Sequence, residues 1–370
     1  TQVAALNTNQ IGAIETTDLA TMSTAQIAVF NTAQTVALST TQIGALNTAD
    51  IRALNTANTA ALTTDQVVAL NSSQVAAMSS TQFAALNTAQ IAIMETTDLA
   101  AVGSSQIAAL NTAQAAALTT DQIGVINTTS LRALNTNDTA ALTTDQIVAL
   151  NSSQIGAMTT GQIGALNTKQ VAAIETTDIV ALNTAAVRAL NTASVAALTT
   201  DQIVAMTSTQ IAAMSTAQIS ALTTDQVAAI ETTDIAAMTT AQIAVLNTAH
   251  AVVLSTLQVG SLNTADMRAF TTADVAVLTT DQIASLNSAQ VAAMSSTQVA
   301  VLNTSQAAAI ETGDLAGLNS AAIRAFTTAA INALTTDQIA AMNTAQVNAL
   351  GTLQIAALNT NQIGAIETGD

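Results

Sequence analysis

The chain has 370 residues, 50% of them hydrophobic but only 1% aromatic, and a formal net charge of -17 from 23 acidic and 6 basic residues. This acidic balance, with few cationic or stacking side chains, argues against binding to nucleic acid or to anionic membrane surfaces. The absence of Cys excludes disulfides and thiol chemistry.

The whole sequence repeats one eight-residue unit, which we call the octad. With "TTDQIVAL" (143–150) numbered as positions 1 to 8, position 2 is Ser or Thr in every octad from Thr8 to Thr368. Position 4 is mostly Gln or Asp, position 5 mostly Ile, Val or Leu, and position 7 nearly always Ala. Position 8 is Leu, Ile, Met or Phe in every octad except at Val102. Such strict repetition is typical of a solenoid, and we predict a single uninterrupted octapeptide-repeat domain over residues 1–370.

Each octad predicts one short capped helix, and therefore an all-α solenoid. Positions 5 and 8 are neighbours on one helical face. Starts such as "TTDQ" and "NTAQ" match the capping box, in which a Ser, Thr or Asn cap and a Gln three residues later bind free backbone N–H groups. A continuous helix would rotate the apolar pair by about 80° per octad and leave no lasting face to bury.

A β-solenoid is the alternative fold. In a strand, positions 5 and 8 would point to opposite faces, which disfavours it. Thr, Ile and Val nevertheless favour strands. Stacked Asn and Gln side chains also stabilise β coils.

Rare octads indicate how many octads form one coil. Octads that open with Glu are spaced 10, 10, 7, 10 and 7 octads apart, and "TTDQ" octads recur at spacings of 7 or 3. The spacings of the Glu octads differ by three octads, and removal of a complete coil leaves a solenoid in phase. We predict about three to three-and-a-half octads per coil, with unequal duplication of an ancestral block as the other explanation. The Glu octads begin at Glu15, Glu95, Glu175, Glu231, Glu311 and Glu367.

The Glu octads always read "ETTD" or "ETGD", with two carboxylates three residues apart. Such a pair suits acid/base chemistry or a calcium site, although Ca²⁺ takes about six to eight oxygen ligands. An active site is normally unique, so the repetition favours a capping variant instead. We therefore predict no catalytic residues and no cofactor, with calcium as the one alternative. The candidate metal ligands are Glu15, Asp18, Glu95, Asp98, Glu175 and Asp178.

Three further residue types stand out against the octad pattern. His250, the only His, replaces Gln at position 4 and predicts a polar capping residue, since one His without Cys cannot form a zinc site. Arg at position 6 predicts register charges that pair with a Glu octad one coil away or on a neighbouring chain. The position 2 hydroxyls predict a structural ladder of caps or inter-coil hydrogen bonds, with ice binding as the alternative. The register charges are Arg52, Arg132, Arg188, Arg268 and Arg324, and Thr8, Thr16, Thr64, Thr120, Thr144 and Thr200 represent the ladder.

No segment predicts a membrane span or a targeting signal. A span needs about 20 consecutive apolar residues, whereas polar residues interrupt every octad. The run "NTNQIGAIETTD" (7–18) returns 44 octads later as "NTNQIGAIETGD" (359–370). We therefore expect this chain to be a window of a longer repetitive polypeptide.

The run "LTTDQIAAM" (334–342) resembles the low-complexity arrays of very large bacterial exoproteins of the adhesion or haemagglutinin type, which carry runs such as "ALTTAQIAAL". The resemblance covers all 370 residues. It implies a secreted or surface-displayed stalk or filament. We predict a non-enzymatic structural protein, extracellular or on the cell surface, that self-associates into fibres without nucleic acid, membrane insertion or a small-molecule substrate. The alternative is a repeat binding surface, either an adhesin or an ice- or carbohydrate-binding ladder.

Overall fold

The structure, a computed structural model, describes residues 2–366. Glu367 and Thr368 of the sequence pattern lie outside the described residues. The chain forms two compact units, Thr1–Leu190 and Asn191–Asp370. Within residues 2–366 there are 45 α-helices and no strand.

The first unit contains a short 3₁₀ turn, Val3–Ala5, and one α-helix in each octad that follows. Helices α1 to α23 are Thr8–Gly12, Thr16–Leu19, Thr24–Ile27, Thr32–Val36, Thr40–Ala45, Thr48–Ala53, Thr56–Ala61, Thr64–Val68, Ser72–Ala77, Ser80–Ala85, Thr88–Ile93, Thr96–Leu99, Ser104–Ile107, Thr112–Ala117, Thr120–Val125, Thr128–Leu131, Thr136–Ala141, Thr144–Val148, Ser152–Ala157, Thr160–Ala165, Thr168–Ala172, Thr176–Ile179 and Thr184–Ala189.

The second unit repeats the same arrangement of one helix per octad. Helices α24 to α45 are Thr192–Ala196, Thr200–Ala205, Ser208–Ala213, Thr216–Ser220, Thr224–Ala229, Thr232–Ala237, Thr240–Ile243, Thr248–Val253, Thr256–Gly260, Thr264–Ala269, Thr272–Val277, Thr280–Ala284, Ser288–Ala293, Ser296–Val299, Thr304–Ala309, Thr312–Leu315, Ser320–Ala325, Thr328–Ala333, Thr336–Ala340, Thr344–Val347, Thr352–Ala357 and Thr360–Ala365.

Most helices begin with the predicted capping box, and α18 is an example. At α18 the Thr143 hydroxyl accepts from the Gln146 backbone N–H, 3.2 Å away, and Gln146 Oε1 accepts from the Thr143 N–H at 2.7 Å. These two bonds satisfy donors that the first helical turn leaves without partners. The cap is position 1, so the invariant Ser or Thr of position 2 is the first helical residue rather than the cap.

Many helices end where two consecutive residues adopt extended backbone. Leu46 closes α5 at φ -62°, ψ 137°, and Asn47 opens α6 at φ -81°, ψ 170°. No described residue has a positive φ. The chain therefore turns between helices with right-handed helical and extended conformations only, which explains how so few Gly residues suffice.

Three octads complete one coil. Within each unit, helices pack on the helices three places earlier and later, as α14 packs on α17 and α38 on α41. This confirms the predicted all-α solenoid, agrees with the predicted coil of about three to three-and-a-half octads, and excludes the β-solenoid. Helices this short are unstable in isolation, so stacking of coils must stabilise them.

Positions 5 and 8 form the core. Ile147 and Leu150 are only 1% and 2% exposed. The intervening position 6 lies at the surface, where it approaches the next coil closely. A Cβ built on Gly156 would lie 3.0 Å from the Ala181 carbonyl oxygen, which accounts for the preference for small residues at this position.

Candidate functional site

Buried amides at position 4 of the octads join successive coils, and we call this set the glutamine seam. Gln146 is 1% exposed. Its Nε2 donates to the carbonyls of Leu118 at 2.6 Å and Ala115 at 2.9 Å, while its Oε1 accepts from Thr143 within its own octad. One side chain thus satisfies an N–H at the start of one helix and carbonyls at the end of a helix in the adjacent coil.

The glutamine seam continues along most of both units. Each member donates from Nε2 to the position 8 carbonyl 28 residues earlier, over 2.5 to 3.1 Å. Members in the first unit are Gln34, Gln42, Gln66, Gln74, Gln82, Gln90, Gln106, Gln114, Gln122, Gln146, Gln154, Gln162 and Gln170. Members in the second unit are Gln226, Gln242, Gln258, Gln282, Gln290, Gln298, Gln306, Gln338, Gln346, Gln354 and Gln362.

Other donors replace Gln without breaking this link. Asn58 Nδ2 donates to the Phe30 carbonyl at 2.7 Å, and Ser130 Oγ donates to the Val102 carbonyl at 2.9 Å. His250, 3% exposed, places Nε2 2.9 Å from the Leu222 carbonyl, and its backbone N–H donates to the Asn247 cap. His250 is therefore a polar capping residue, as predicted, with an added contact to the adjacent coil.

Aspartate at position 4 is chemically different, because a carboxylate has no proton to donate. Asp50, Asp98 and Asp138 are at most 3% exposed. Burial raises the pKa of all three carboxyls. At Asp50 hydrogen bonds from Asn47 oppose that rise in pKa. At Asp98 a hydrogen bond from Ser72 opposes the rise in pKa, whereas the charge of Glu95 adds to the rise.

The candidate metal ligands occupy the first turn of their helices. Glu15, Glu95 and Glu175 stand at the cap position and make no capping hydrogen bond. Asp98 and Asp178 are buried at position 4, whereas Asp18 is exposed. Within residues 2–366, no three His, Cys, Asp or Glu side chains come together where they could hold a metal ion.

A serine in the preceding coil binds the aspartate of a Glu octad. Ser72 Oγ donates to Asp98 Oδ1 at 2.8 Å, and Ser152 Oγ donates to Asp178 Oδ1 at 2.5 Å. The same contact joins Ser208 to Asp234 and Ser288 to Asp314. Sequence reasoning missed these pairs. Their signal was present, because a Ser octad ending in Met stands three octads before the Glu octads that begin at 95, 175, 231 and 311.

The register charges lie at position 6, at or near the ends of their helices. Nε of Arg52, Arg268 and Arg324 donates to the carbonyls of Ala77, Ala293 and Ala349, over 2.9 to 3.2 Å. Each acceptor lies one coil further along. Arg132 is the C-terminal cap residue of α16, and Arg188 lies on α23.

The predicted threonine ladder lies at the first helical position. Thr8, Thr64, Thr120, Thr144 and Thr200 are exposed, and Thr16 is half-buried. Position 2 hydroxyls bond to the next coil where an acceptor is available, as Thr240 does to Asp266 at 3.0 Å. The ladder therefore presents hydroxyls to solvent on every face of a coil.

The repeat itself has a known counterpart. The profile of the ALTTAQ repeat matches at residues 11–48, 43–80, 91–126, 123–152, 131–168, 171–208, 204–229, 227–264, 259–296, 307–344 and 339–368. These eleven matches cover most of the sequence. The chain belongs to the ALTTAQ repeat family.

Each ALTTAQ match spans several octads, in agreement with a unit that is stable only when stacked. No curated protein matches the chain. No helix within residues 2–366 combines the length and the apolar character that crossing a membrane demands. The ALTTAQ repeats thus provide a regular polar and apolar framework, and the chemistry of the described residues is that of hydrogen bonding between coils.

Proposed function

We propose that this ALTTAQ repeat chain is a structural protein, the rod of an extracellular filament or of a cell-surface stalk, and not an enzyme. The observation that supports this most is the glutamine seam, in which Gln146 and its equivalents fasten each coil to its neighbour through buried amide bonds. Extension of the solenoid along its axis must break these amide bonds, which are buried away from water. Buried hydrogen bonds are costly to leave unmade, so the seam resists extension.

Self-association into fibres and an extracellular or surface location are parts of the same proposal. The chain has no Pro, so every octad keeps all of its backbone N–H donors. The net charge of -17 favours a soluble surface. The resemblance of "LTTDQIAAM" to arrays in bacterial exoproteins supports display outside a bacterial cell.

Force spectroscopy on the full chain tests the mechanical role. We expect a force plateau or regular steps whose lengths correspond to whole coils, and a lower force for a chain in which several seam glutamines are replaced by Ala. Replacing the exposed position 3 residues of the same octads by Ala is the matched control and should leave the force unchanged. Extension at negligible force would contradict the proposal.

A binding surface is the second candidate, and the exposure of the position 2 hydroxyls supports it. Thr120 and Thr144 occupy equivalent places on α15 and α18, two helices that pack on each other. Regularly spaced hydroxyls suit ice or carbohydrate. Thermal-hysteresis and glycan-binding measurements on the full chain test this, with electron microscopy to show filaments or single rods. Filaments without ligand binding favour the structural role, and single particles that bind a glycan or ice favour the second.

A further inference from the structure

Two nearly identical octads differ in whether position 4 can donate a hydrogen bond. "NTANTAAL" (55–62) and "NTNDTAAL" (135–142) differ only at positions 3 and 4. In both, the position 5 hydroxyl binds the cap carbonyl, from Thr59 to Asn55 at 3.1 Å and from Thr139 to Asn135 at 2.9 Å. The position 5 contact is therefore the same in both octads, and position 4 changes from a donor amide in Asn58 to a carboxyl in Asp138.

The contact made by Asn58 shows that position 4 requires a hydrogen-bond donor. Its Nδ2 donates to the Phe30 carbonyl, 28 residues earlier. The equivalent carbonyl for Asp138 belongs to Leu110, and both Asp138 and Leu110 are buried. Asp138 Oδ2 accepts from Asn135 Nδ2 at 2.6 Å, so one carboxyl oxygen already has a donor. Since the two octads are equivalent, we infer that Oδ1 takes the place of the Asn58 amide nitrogen, where it requires a hydrogen to bond the Leu110 carbonyl.

No charged side chain near Asp138 supplies compensation. Helix α17 packs on α14 and α20, and neither those helices nor the octad of Leu110 (103–110) contains a titratable residue. The flanking octads contribute Arg132 and the exposed Asp145, and the exposed Lys169 lies on α21, whose Gln170 donates to the Thr139 carbonyl. Burial raises the pKa of Asp138 above the ordinary value of an aspartate.

We propose that Asp138 holds a proton in the folded chain and that its carboxyl donates to the Leu110 carbonyl, so that this coil boundary is a pH-sensitive lock. The protonated carboxyl has the same donor and acceptor pattern as the Asn58 amide. Loss of the proton leaves a buried carboxylate oxygen facing a carbonyl oxygen, which weakens the boundary.

The same lock operates at Asp50. Asp50 Oδ1 is buried without a hydrogen-bond partner. The helices packed on α6, which are α3 and α9, have no titratable residue, and Arg52 lies on α6 itself.

The pH dependence follows from the raised pKa. Because the folded chain binds the proton more tightly than the unfolded chain, the contribution to stability is fully present below the ordinary aspartate pKa of about 3.9. It is lost as the pH rises through the higher pKa of the folded state. The lock is therefore closed in acid and weakened at higher pH.

Asp138→Asn in the full chain tests the proposal, because Asn is a permanent donor. Infrared difference spectra between the variant and the original chain at about pH 5, above the ordinary pKa, should show the loss of one protonated carboxyl. Asp145→Asn, in the next octad and exposed, is the matched control and should leave the protonated-carboxyl signal unchanged. A difference spectrum of Asp138→Asn that shows the loss of an ionised carboxylate would overturn the proposal.

Amide hydrogen exchange in octads 103–110 and 135–142 gives a second readout. Asp138→Asn should exchange more slowly than the original chain at about pH 8, and the ratio of protection should approach one as the pH falls to about 4. A ratio that stays constant with pH would contradict the lock. The ¹³C chemical shift of the Asp138 carboxyl in the original chain provides the titration directly, even where the variant folds poorly.

Discussion

The side-chain Nε2 of Gln146 lies 2.6 Å from the main-chain carbonyl oxygen of Leu118, and this bond crosses from one coil to the next. The same glutamine accepts from the backbone N–H of Thr143. A residue that appears in the sequence as half of a helix cap therefore also bridges two coils.

Replacing Gln146 by Ala should lower the stability of its coil boundary by roughly 1–3 kcal/mol, because buried backbone groups lose their partners. Hydrogen exchange of the amides in octads 111–118 and 143–150 measures the loss locally, which suits a repeat protein that need not unfold in one step. Asp145→Ala is the neighbouring exposed control and should change exchange little. Equal effects of the two substitutions would contradict an inter-coil role for Gln146.

Adjacent residues of α18 provide a test of the core. Ile147→Ala should lower the local stability by about 2–5 kcal/mol, since the side chain is 1% exposed and its removal leaves a cavity. Val148→Ala should change stability by no more than about 0.5 kcal/mol, since Val148 is 45% exposed. Chemical denaturation and hydrogen exchange distinguish these outcomes, and similar losses would mean that position 5 is not the core face.

Insertions test whether the octad is the structural unit. A second "TTDQIVAL" placed after Leu150 should be accepted with little loss of helicity, because every cap, core and seam contact can form again with equivalent residues. Insertion of the seven-residue "TTDQIVL" shifts all later apolar positions and should disrupt the following coils. Circular dichroism and limited proteolysis measure both, and equal tolerance of the two insertions would contradict a strict octad register.

Asn58→Asp is the converse of the proposed proton lock. The substitution replaces a donor by a carboxyl that must be protonated to bind Phe30, so burial should raise the pKa of the new carboxyl. The variant should be less stable than the original chain at neutral pH and should recover as the pH falls toward about 4. Thermal denaturation across this range measures it, and a deficit that is independent of pH would count against the lock.

Glu95→Asn should stabilise the start of α12 by about 0.5–1 kcal/mol, because Asn is a preferred cap and Glu95 makes no capping bond. Removal of its charge should also bring the pKa of Asp98 closer to the ordinary value, since the Glu95 charge contributes to the rise. Hydrogen exchange at residues 96–99 and a titration of Asp98 measure the two effects. Unchanged exchange would show that the cap of α12 is satisfied in another way.

The sequence predicts the parts of the fold that depend on neighbours within one octad. Caps, the helix that follows and the buried pair at positions 5 and 8 all involve residues three or four apart, as in the case of Thr143 and Gln146. The three-octad coil was predictable because Glu octads interrupt the pattern at spacings that differ by three octads. An irregularity was needed, since identical octads contain no information about which of them touch.

The glutamine seam could not be predicted from the sequence, because the octads are nearly identical. Gln146 reaches Leu118, but nearly every octad offers the same Gln and the same apolar position 8, so no spacing singles out the pair. The Ser72 and Asp98 pair is the exception, because both residues depart from the usual octad. The acceptors of Arg52 and Arg268 are backbone carbonyls, which every residue has, so the residue pattern does not predict these contacts.

The backbone turns between octads without any residue at positive φ, and this has a consequence for how the gene can change length. No loop exists in the described residues to absorb an irregular insertion, so tolerated length changes are whole octads of 24 nucleotides. A gain or loss of 72 nucleotides, one complete coil, also leaves each later surface residue on the face it occupied before. Recombination between near-identical repeats can therefore lengthen or shorten the protein while preserving the order of its surfaces.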